Sequence, residues 1–403
     1  GIPKAIARTH HFLLNQHHTL AHHMNCTTGT IDLPTLPVFL LHSLAGGATC
    51  VLADANLQHV GSIDPRKIIA QLEKEQITSL SGSPAFFAPI IQYAKENKLT
   101  LSSVQQVFTG GARVNARIAK QLCETFSMAE IFVVYGSTES EPIAVLNLNE
   151  HLSQLEEGEK IGKGGNLDID IAVDPLEGTN FVAKNLPGAL SVISIAEKGN
   201  LFNAPETYMD KLAVSNRVPK DATDLDFPIE KNIKNIADAL NKDIKNVNVC
   251  LLDRPRHKDI IEKLKKMNVK IKLISDGDVS GALMVTEKKY NIDIFLGIGG
   301  GPEGVLAASA IDAYGCKFQG RFLFKTDRDI SRAKKMGIKN LGKKYELNEI
   351  VKGDSIFCAT GITNGDLVRG INLKDGKYIT ETLVTHKSSN MRKIFTREDI
   401  IKT

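Results

Sequence analysis

One heptad in the chain combines two carboxylates, a glycine and a hydroxyl within a short span. The sequence Asp-Pro-Leu-Glu-Gly-Thr-Asn begins at Asp174 and follows a strand-like apolar run, so Asp174 is predicted to lie where a strand ends. Pro175 is expected to force a turn that returns Glu177 toward Asp174. Gly178 permits a close backbone approach, and Thr179 offers a hydroxyl and an N–H at the start of a helix or turn. This set suits a hard divalent cation beside a phosphate, whereas the alternative is a plain turn with solvated acids.

Three further polar segments follow predicted strands. Arg254 and Arg256 stand one residue apart, an arrangement that can fork onto a phosphate. The Asp-Gly-Asp sequence at 276–278 offers acceptors for sugar hydroxyls or a metal-bound water, and the glycine-rich turn at 297–304 carries one carboxylate. Taken singly, these segments are more typical of surface charges and plain turns, and the glycine run lacks the Lys-Ser/Thr ending of a P-loop. Their position favours a site, because ligands in open α/β sheets bind at the carboxyl ends of strands.

The elements that must position these residues alternate between strand and helix patterns. Strands are predicted over 247–253, 269–275 and 293–297, a helix over 257–267, and another helix from Pro302. This βαβα rhythm predicts a layered α/β fold.

The first part of the chain has a less regular alternation of predicted helices and strands. A helix is predicted over 64–75, and apolar β-type runs occur at 48–52 and 131–134. The polar, acidic segment from Leu148 is expected to separate this part from the next. The predicted organisation is therefore a first segment over 1–149, a seam over 150–165 and a second region over 166–403.

Composition narrows the class of protein. A chain of 403 residues is expected to form two or three domains, and the 42% hydrophobic and 24% charged fractions are ordinary for a globular protein. The net charge of +4 gives no reason to expect a nucleic-acid partner or a polybasic membrane surface. Six cysteines without CxxC spacing, and no apolar run long enough to span a bilayer, predict a cytoplasmic protein with reduced thiols. Because the chain begins at Gly1 rather than Met, we expect it to be truncated at its start.

The second region resembles a known family. The segments that carry the likeness occur in the order DIAVDPLEGTN, NAPETYMDKL, DRPRHKDII, ISDGDV, GIGGGPEGVLAA, FQGR and FCATGITNGDLVRGI. Over about 158–403 the chain resembles the class II fructose-1,6-bisphosphatases, which belong to the lithium-sensitive sugar-phosphatase fold. The resemblance implies hydrolysis of the 1-phosphate of fructose 1,6-bisphosphate in gluconeogenesis, with Mn²⁺ or Mg²⁺ as the cofactor. It leaves open a sedoheptulose bisphosphate substrate and a homo-oligomer.

The same resemblance assigns roles to individual residues. It implies metal ligation by Asp174, Glu177 and Glu303, and catalysis by Asp174, Glu177 and Thr179. Substrate contacts are implied for Glu177, Gly178, Thr179, Tyr208, Arg254, Pro255, Arg256, Asp276, Gly277, Asp278 and Gly300. Family members carry a further stretch before the DPLEGT strand that supplies an aspartate and a glutamate to the metal cage. Since the likeness resumes here only near Gly158, half of the first metal site is expected to be absent.

Residues 1–149 resemble a middle piece of the adenylate-forming acyl-CoA synthetases. The likeness lies in GIPK from Gly1, the stretch 33–47, SGSP at 81–84, TGGARV at 109–114 and YGSTE at 135–139. That family binds ATP phosphate and Mg²⁺ through the threonine and glutamate of YGSTE. The family's Ser/Thr/Gly-rich loop, its ribose-binding aspartate and its C-terminal lysine domain are missing, so a working ligase is not expected. An acyl-CoA ligase fragment and a non-enzymatic fusion remnant remain the alternatives to a phosphatase.

Overall fold

The computed structural model divides the chain into two compact units, residues 1–164 and 165–403, and each is described by itself. The residues described are 8–112, 114–137, 140–151 and 168–400. All six cysteines lie among them and are free thiols. Within the same ranges, no helix is both long enough and apolar enough to cross a membrane.

The first unit is built on one six-stranded sheet. Its strands are β1 (Ile31–Pro34), β2 (Thr49–Cys50), β3 (Ser79–Gly82), β4 (Gln106–Gly110), β5 (Glu130–Ser137) and β6 (Ser140–Asn147). Its helices are α1 (His10–Ala21), α2 (Pro37–Ala45), α3 (Pro65–Lys74), α4 (Pro84–Glu96), α5 (Ala116–Thr125) and α6 (Leu148–His151). The strand order is β2-β1-β3-β4-β5-β6, and the strands are parallel except for β6, which is antiparallel to β5.

Helices cover both faces of this sheet. Because side chains alternate along a strand, neighbouring residues of β4 join different cores. Val107 packs with side chains of α3, α4 and α5, whereas Phe108 packs with Leu20 of α1 and Phe39 of α2. The predicted α/β character of this part of the chain is therefore confirmed.

Two predictions of local structure in this unit have different outcomes. The helix predicted over 64–75 is confirmed as α3, and the Asp64 side chain caps it by accepting the backbone N–H of Arg66. The strand predicted over 48–52 is wrong in length. Only Thr49–Cys50 forms strand pairs, because β2 is an edge strand with one partner and Leu52 turns outward to 71% exposure.

Several segments singled out from the sequence lie outside the described residues. They are Gly1–Lys4, Arg113, Thr138, Glu139 and most of the seam at 152–165. The first residues of the polar segment are described, and they form α6, in which Leu148 is fully buried in the core of the first unit.

The second unit contains two six-stranded sheets. Its strands are β7 (Ile169–Glu177), β8 (Leu190–Glu197), β9 (Tyr208–Val214), β10 (Asn248–Leu252), β11 (Lys270–Ile274), β12 (Ile294–Gly300), β13 (Lys317–Leu323), β14 (Lys344–Glu346), β15 (Ser355–Gly361), β16 (Asn372–Lys374), β17 (Lys377–His386) and β18 (Met391–Ile400). Its helices are α7 (Thr179–Ala183), α8 (Ile229–Leu240), α9 (Lys258–Lys266), α10 (Asp278–Leu283), α11 (Gly301–Asp312), α12 (Asp327–Lys335) and α13 (Leu347–Ile350).

The two sheets differ in strand direction. The mixed sheet has the order β11-β10-β12-β9-β13-β14, in which β10, β11 and β12 are parallel and the other pairings are antiparallel. The antiparallel sheet has the order β16-β17-β15-β8-β7, with β18 also paired to β17. Since β10, β11 and β12 are parallel, the polar segments that follow β10 and β11 emerge at the same edge of the mixed sheet.

Helix α11 lies between the two sheets. Ten of its twelve residues are buried, and it contacts β9, β12 and β13 on one side and β7, β8 and β15 on the other. Most of its residues are small or apolar, which suits a helix that is buried on both sides. Ser309 fixes it to the antiparallel sheet through hydroxyl contacts with Ser194 at 2.6 Å and Ser355 at 2.8 Å. The start of α11, which carries Glu303, is held between the sheets as a result.

The opposite face of the mixed sheet is covered by α8 and α9. Cys250 of β10 joins the core shared with α10 and α11, whereas its neighbour Val249 packs with Ile233 of α8 and Leu264 of α9. The order of layers is thus helices, mixed sheet, helices, antiparallel sheet. The predicted strands at β10, β11 and β12 and the predicted helix at α9 are confirmed, as is the mixed α/β fold.

The strand that precedes Asp174 is longer than predicted. Instead of ending before Asp174, β7 continues through Pro175 to Glu177. Asp174 pairs with Val192 and Glu177 with Leu190, so β7 contains one extra residue and forms a bulge. Pro175 is tolerated because β7 is an edge strand, where a missing N–H breaks no ladder hydrogen bond. A bulge, rather than a turn, therefore sets the positions of Asp174 and Glu177.

Candidate active site

Four carboxylates from distant parts of the second unit form one cluster. Burial raises the pKa of Glu177 well above its usual value, and the charges of Asp174, Asp278 and Glu303 raise it further. The pKa of Glu303 is also raised, first by burial and then by Asp278 and Asp174. The three predicted metal ligands are therefore brought together with Asp278, which is 6% exposed.

Hydrogen bonds link the segment after β7 to the segments after β10 and β11. The Glu177 carboxylate accepts the backbone N–H of Val279 at 2.8 Å. Asp276 accepts both the backbone N–H and the side-chain amide of Asn180 at 2.9 Å, and its other oxygen pairs with Arg254 at 3.1 Å. Asp276 thus binds three groups of the protein itself, and with them it fixes the segments that carry the candidate site.

A buried lysine belongs to this cluster and was not singled out from the sequence. Lys211 is fully buried, and its ammonium donates to Oδ2 of Asp278. The charge of Lys211 also lowers the pKa of Glu303, against the larger effect of burial. The available signal was a single lysine in the otherwise apolar second half of β9, a strand hydrogen-bonded on both sides in the mixed sheet. A buried cation partly compensates the surrounding carboxylates.

The glycine run before α11 makes room for two of the carboxylates. A Cβ atom on Gly299 would lie 1.5 Å from Oδ2 of Asp278, and one on Gly300 would lie 1.8 Å from Oε2 of Glu303. In the sequence this run lacks the Lys-Ser/Thr ending of a P-loop, so it gave little indication of its role. The structure instead shows that the carboxylates pack directly against backbone at these glycines.

Two turns of the site pack on one aromatic ring. Gly178 and Gly277 both have left-handed backbone conformations, with φ of 83° and 91°. A Cβ on Gly178 would lie 2.5 Å from the ring of Phe181, and one on Gly277 would lie 3.0 Å from it. Thr179 follows Gly178 as the first residue of α7, as predicted. The buried ring of Phe181 therefore sets the spacing between the segments after β7 and β11.

His257 fixes the arginine segment to β12. Its Nδ1 donates to the carbonyl of Leu252 at 2.7 Å, and its Nε2 accepts the backbone N–H of Ile298 at 2.7 Å. This pattern requires a neutral ring, and burial lowers the pKa of His257 in agreement with it. Arg256 completes the link, because its Nε donates to the Ile298 carbonyl at 2.7 Å. Pro255 lies between the two arginines and is exposed, in a single turn of 3₁₀ helix that ends at the buried His257.

Whether a divalent cation fits can be judged from the donor set. The cluster offers carboxylate oxygens, the ligand type that Mg²⁺ and Mn²⁺ prefer, and Oδ1 of Asp278 is buried with no hydrogen-bond partner among the described residues. Burial is the largest cause of the raised pKa of Glu177, and the charges of Asp174, Asp278 and Glu303 raise that pKa further; a bound cation would relieve this repulsion between carboxylates. Within the described ranges, however, no three His, Cys, Asp or Glu side chains are arranged to hold a metal ion. The ligand set therefore stays a prediction.

A layered α/β unit whose strand ends carry clustered carboxylates beside arginines is typical of enzymes that act on phosphorylated small molecules. The family model for bacterial fructose-1,6-bisphosphatase, glpX-encoded, matches residues 135–398, which is more than half of the chain. The chain belongs to this family.

Relatives agree with this assignment. The D-fructose 1,6-bisphosphatase class 2/sedoheptulose 1,7-bisphosphatase of Synechococcus sp. (strain JA-2-3B'a(2-13)) is 41% identical over 238 residues, which cover 55% of this chain and 68% of that protein. The fructose-1,6-bisphosphatase 1 class 2 of Escherichia coli (strain K12) is 38% identical over 252 residues, 59% of this chain and 74% of that one.

The first part of the chain is similar to a second family. The model for AMP-binding enzymes matches residues 1–192. A luciferase-like enzyme from Zophobas morio has a TM-score of 0.33 and 19% identity, with 49% of this chain and 45% of that chain covered. For the O-succinylbenzoate coenzyme A synthetase of Bacillus subtilis the TM-score is 0.32 and the identity 17%, with coverage of 48% and 40%. The chain thus spans less than half of the length of these solved structures.

Proposed function

We propose that this protein is a metal-dependent phosphatase that removes the 1-phosphate of fructose 1,6-bisphosphate and leaves fructose 6-phosphate. The observation that carries the proposal is the cluster formed by Asp174, Glu177 and Glu303, which lies beside the segments that hold Arg254 and Arg256. Membership of the bacterial fructose-1,6-bisphosphatase family supports the substrate class and hydrolysis of a phosphoric monoester. A seven-carbon bisphosphate is a second substrate, since one relative is named for both sugars.

The proposal assigns a separate role to each residue at and beside the carboxylate cluster. In this proposal Asp174, Glu177 and Glu303 hold Mn²⁺ or Mg²⁺, which when bound polarises the phosphate ester and lowers the pKa of an attacking water. Thr179 donates to the transferring phosphoryl group. Arg256 contributes its terminal guanidinium nitrogens, which is the usual way in which arginine holds phosphate oxygens.

The residues around the cluster orient the groups that react. Lys211 holds Asp278 in place without leaving a net charge at that position, since the two form a buried ion pair. Gly300 gives the Glu303 carboxylate the space it needs. In the proposal, Tyr208 orients the sugar, a role that its position at the start of β9 opposite Gly300 supports.

Some finer points are proposals of the same kind. The second unit is proposed to have the lithium-sensitive sugar-phosphatase fold, which the buried helix between two sheets supports. A seam over 150–165, between segments 1–149 and 166–403, is supported by the division of the chain after residue 164. Six free thiols support a reducing, cytoplasmic location. Homo-oligomer formation stays a prediction.

A ³¹P NMR time course tests the proposed reaction. With Mn²⁺ present, the 1-phosphate resonance of fructose 1,6-bisphosphate should decrease while inorganic phosphate appears and the 6-phosphate resonance persists. Chelation by EDTA should stop the change. Absence of phosphate release, or loss of the 6-phosphate first, would overturn the proposal. The acyl-CoA ligase alternative predicts pyrophosphate release from ATP and a fatty acid, which we expect to be absent.

A further inference from the structure

Strand β12 extends beyond its neighbour β10 at the edge of the mixed sheet that carries the candidate site. The pairing of β12 with β10 runs from Ile294 to Leu296, whereas β12 continues to Gly300 and stays paired with β9 on its other side. Strand β10 itself ends at Leu252. Within the described residues, the last part of β12 therefore has no strand on the side of β10, and its backbone groups there need other partners.

Two side chains of the segment that follows β10 take the place of a strand. Nε2 of His257 accepts the backbone N–H of Ile298 at 2.7 Å, and Nε of Arg256 donates to the carbonyl of Ile298, also at 2.7 Å. Both backbone groups of Ile298 are thus bonded to consecutive side chains, much as a neighbouring parallel strand would bond them. The contact of His257 with Ile298 and the contact of Arg256 with Ile298 are therefore coupled through one residue of β12.

The ring of His257 is held on its other side as well. Its Nδ1 donates to the carbonyl of Leu252, the last residue of β10, at 2.7 Å. His257 is 2% exposed, and a Cβ atom on Gly297 would lie 3.1 Å from Cε1 of its ring. A ring that is bonded at both nitrogens and packed against backbone keeps one orientation. His257 therefore fixes the distance between the end of β10 and the end of β12.

The two arginines of this segment bond to opposite sides of β10. Arg254 pairs with Asp276, which follows β11, at 3.1 Å, whereas Arg256 bonds to β12 through Ile298. Strand β10 lies between β11 and β12, so the segment spans both neighbouring strands. The direction of the Arg256 guanidinium depends on the carbonyl of Ile298, and His257 holds the N–H of that same residue.

We propose that His257 is a positioning residue for the phosphatase reaction, and that it orients the guanidinium of Arg256 toward the reacting phosphate by holding Ile298. This inference rests on the proposed function, which assigns Arg256 to the phosphate. In the proposal the ring of His257 contacts neither substrate nor metal, and its effect passes through Arg256. A guanidinium bound at Nε presents its two terminal nitrogens in a fixed direction, so less freedom is lost when they bind phosphate oxygens.

The Nε–H of Arg256 reports this arrangement without any turnover. In ¹H–¹⁵N spectra of the wild type it should give a sharp, slowly exchanging signal, which is assigned by its loss in Arg256→Lys. The side chain in His257→Asn can donate to the Leu252 carbonyl but is too short to reach Ile298, so the Arg256 Nε–H should exchange with water at least about tenfold faster. The side chain in His257→Gln can accept the N–H of Ile298, and this variant should retain the signal. No protected signal in the wild type, or an unchanged signal in His257→Asn, would overturn the proposal.

A double-mutant cycle distinguishes positioning from a structural role. His257→Asn should lower kcat/KM for fructose 1,6-bisphosphate by about tenfold to a hundredfold, the effect of losing one hydrogen bond to a charged group, and His257→Gln should recover most of this loss. In an Arg256→Met background, the same His257→Asn change should cost less than about twofold, because the side chain that His257 positions is gone. Equal losses in both backgrounds would show that His257 acts on the fold and not through Arg256, and would contradict the proposal.

His386→Asn is the matched control, because the ring of His386 is also bonded at both nitrogens, to Asp354 and Ser389 at 2.7 Å each. This variant should keep kcat/KM within about twofold of wild type and leave the Arg256 signal unchanged. If the wild type does not hydrolyse fructose 1,6-bisphosphate, the proposed phosphatase function fails, while the Arg256 Nε–H signal still decides whether His257 positions Arg256.

Discussion

Removal of Lys211 should destabilise the protein much more than removal of an exposed lysine. Lys211 is fully buried, and Lys211→Met removes the only partner that the structure gives to Oδ2 of Asp278 within the described residues. Oδ1 of the same carboxylate already has no partner there. The substitution would leave an unpaired carboxylate at 6% exposure, and breaking one side of a buried ion pair costs about 3–5 kcal/mol.

The free energy of unfolding can be measured by urea denaturation followed by far-UV circular dichroism, since the chain has no tryptophan for fluorescence. EDTA should be present so that no metal compensates the carboxylates. Lys198→Met is the matched control, because its pair with Asp168 is 59% and 67% exposed and should contribute at most about 1 kcal/mol. The double variant Lys211→Met/Asp278→Asn should recover part of the loss, since it removes the unpaired charge. A loss below about 1 kcal/mol in Lys211→Met, or no recovery in the double variant, would refute this reasoning.

Three further predictions concern metal binding and rate. Because the pKa of Glu177 is raised, Mn²⁺ binding should displace the proton of this carboxyl, and the affinity for Mn²⁺ should rise as the pH rises toward that pKa. Calorimetry in two buffers with different ionisation enthalpies should detect the proton release. An affinity for Mn²⁺ that does not depend on pH would contradict this prediction. Gly300→Ala should displace the Glu303 carboxylate and abolish most Mn²⁺-dependent phosphate release, while the melting temperature changes little. Gly342→Ala is the control and should behave as wild type, because a Cβ there would lie 3.8 Å from its nearest heavy atom. Full activity in Gly300→Ala would contradict the proposed site. Two of the family's metal ligands are expected to be absent from this chain. Turnover of fructose 1,6-bisphosphate should therefore be at least about tenfold slower than that of a complete family member at the same Mn²⁺ concentration. Equal rates would show that no ligand is missing.

The regular elements were predictable because their signals are local. The apolar run of β10 is bounded by polar residues on both sides, and the helical spacing of α9 is visible within a few turns. The convergence of strand ends followed from the same pattern, since parallel strands bring their carboxyl ends to one edge.

The details of the site depend on partners far away in the sequence, and those details could not be predicted. The path of β7 through Pro175 depends on its being an edge strand, which is a property of the assembled sheet. Lys211 became part of the site only through Asp278, which lies on a different element. Likewise, a glycine is needed at position 300 because the Glu303 carboxylate packs against it, and the glycine pattern in the sequence does not indicate this contact.

The most direct test of the account is phosphate release from fructose 1,6-bisphosphate by the wild type and the Glu303→Gln variant, side by side with Mn²⁺. Glu287→Gln is the control, because Glu287 is a carboxylate of the same unit whose ion-pair partner is Lys289. The account predicts release by the wild type and by the control within about twofold of each other, and a loss of about a hundredfold or more in Glu303→Gln. Release by Glu303→Gln at the wild-type rate, or none by the wild type, would contradict it.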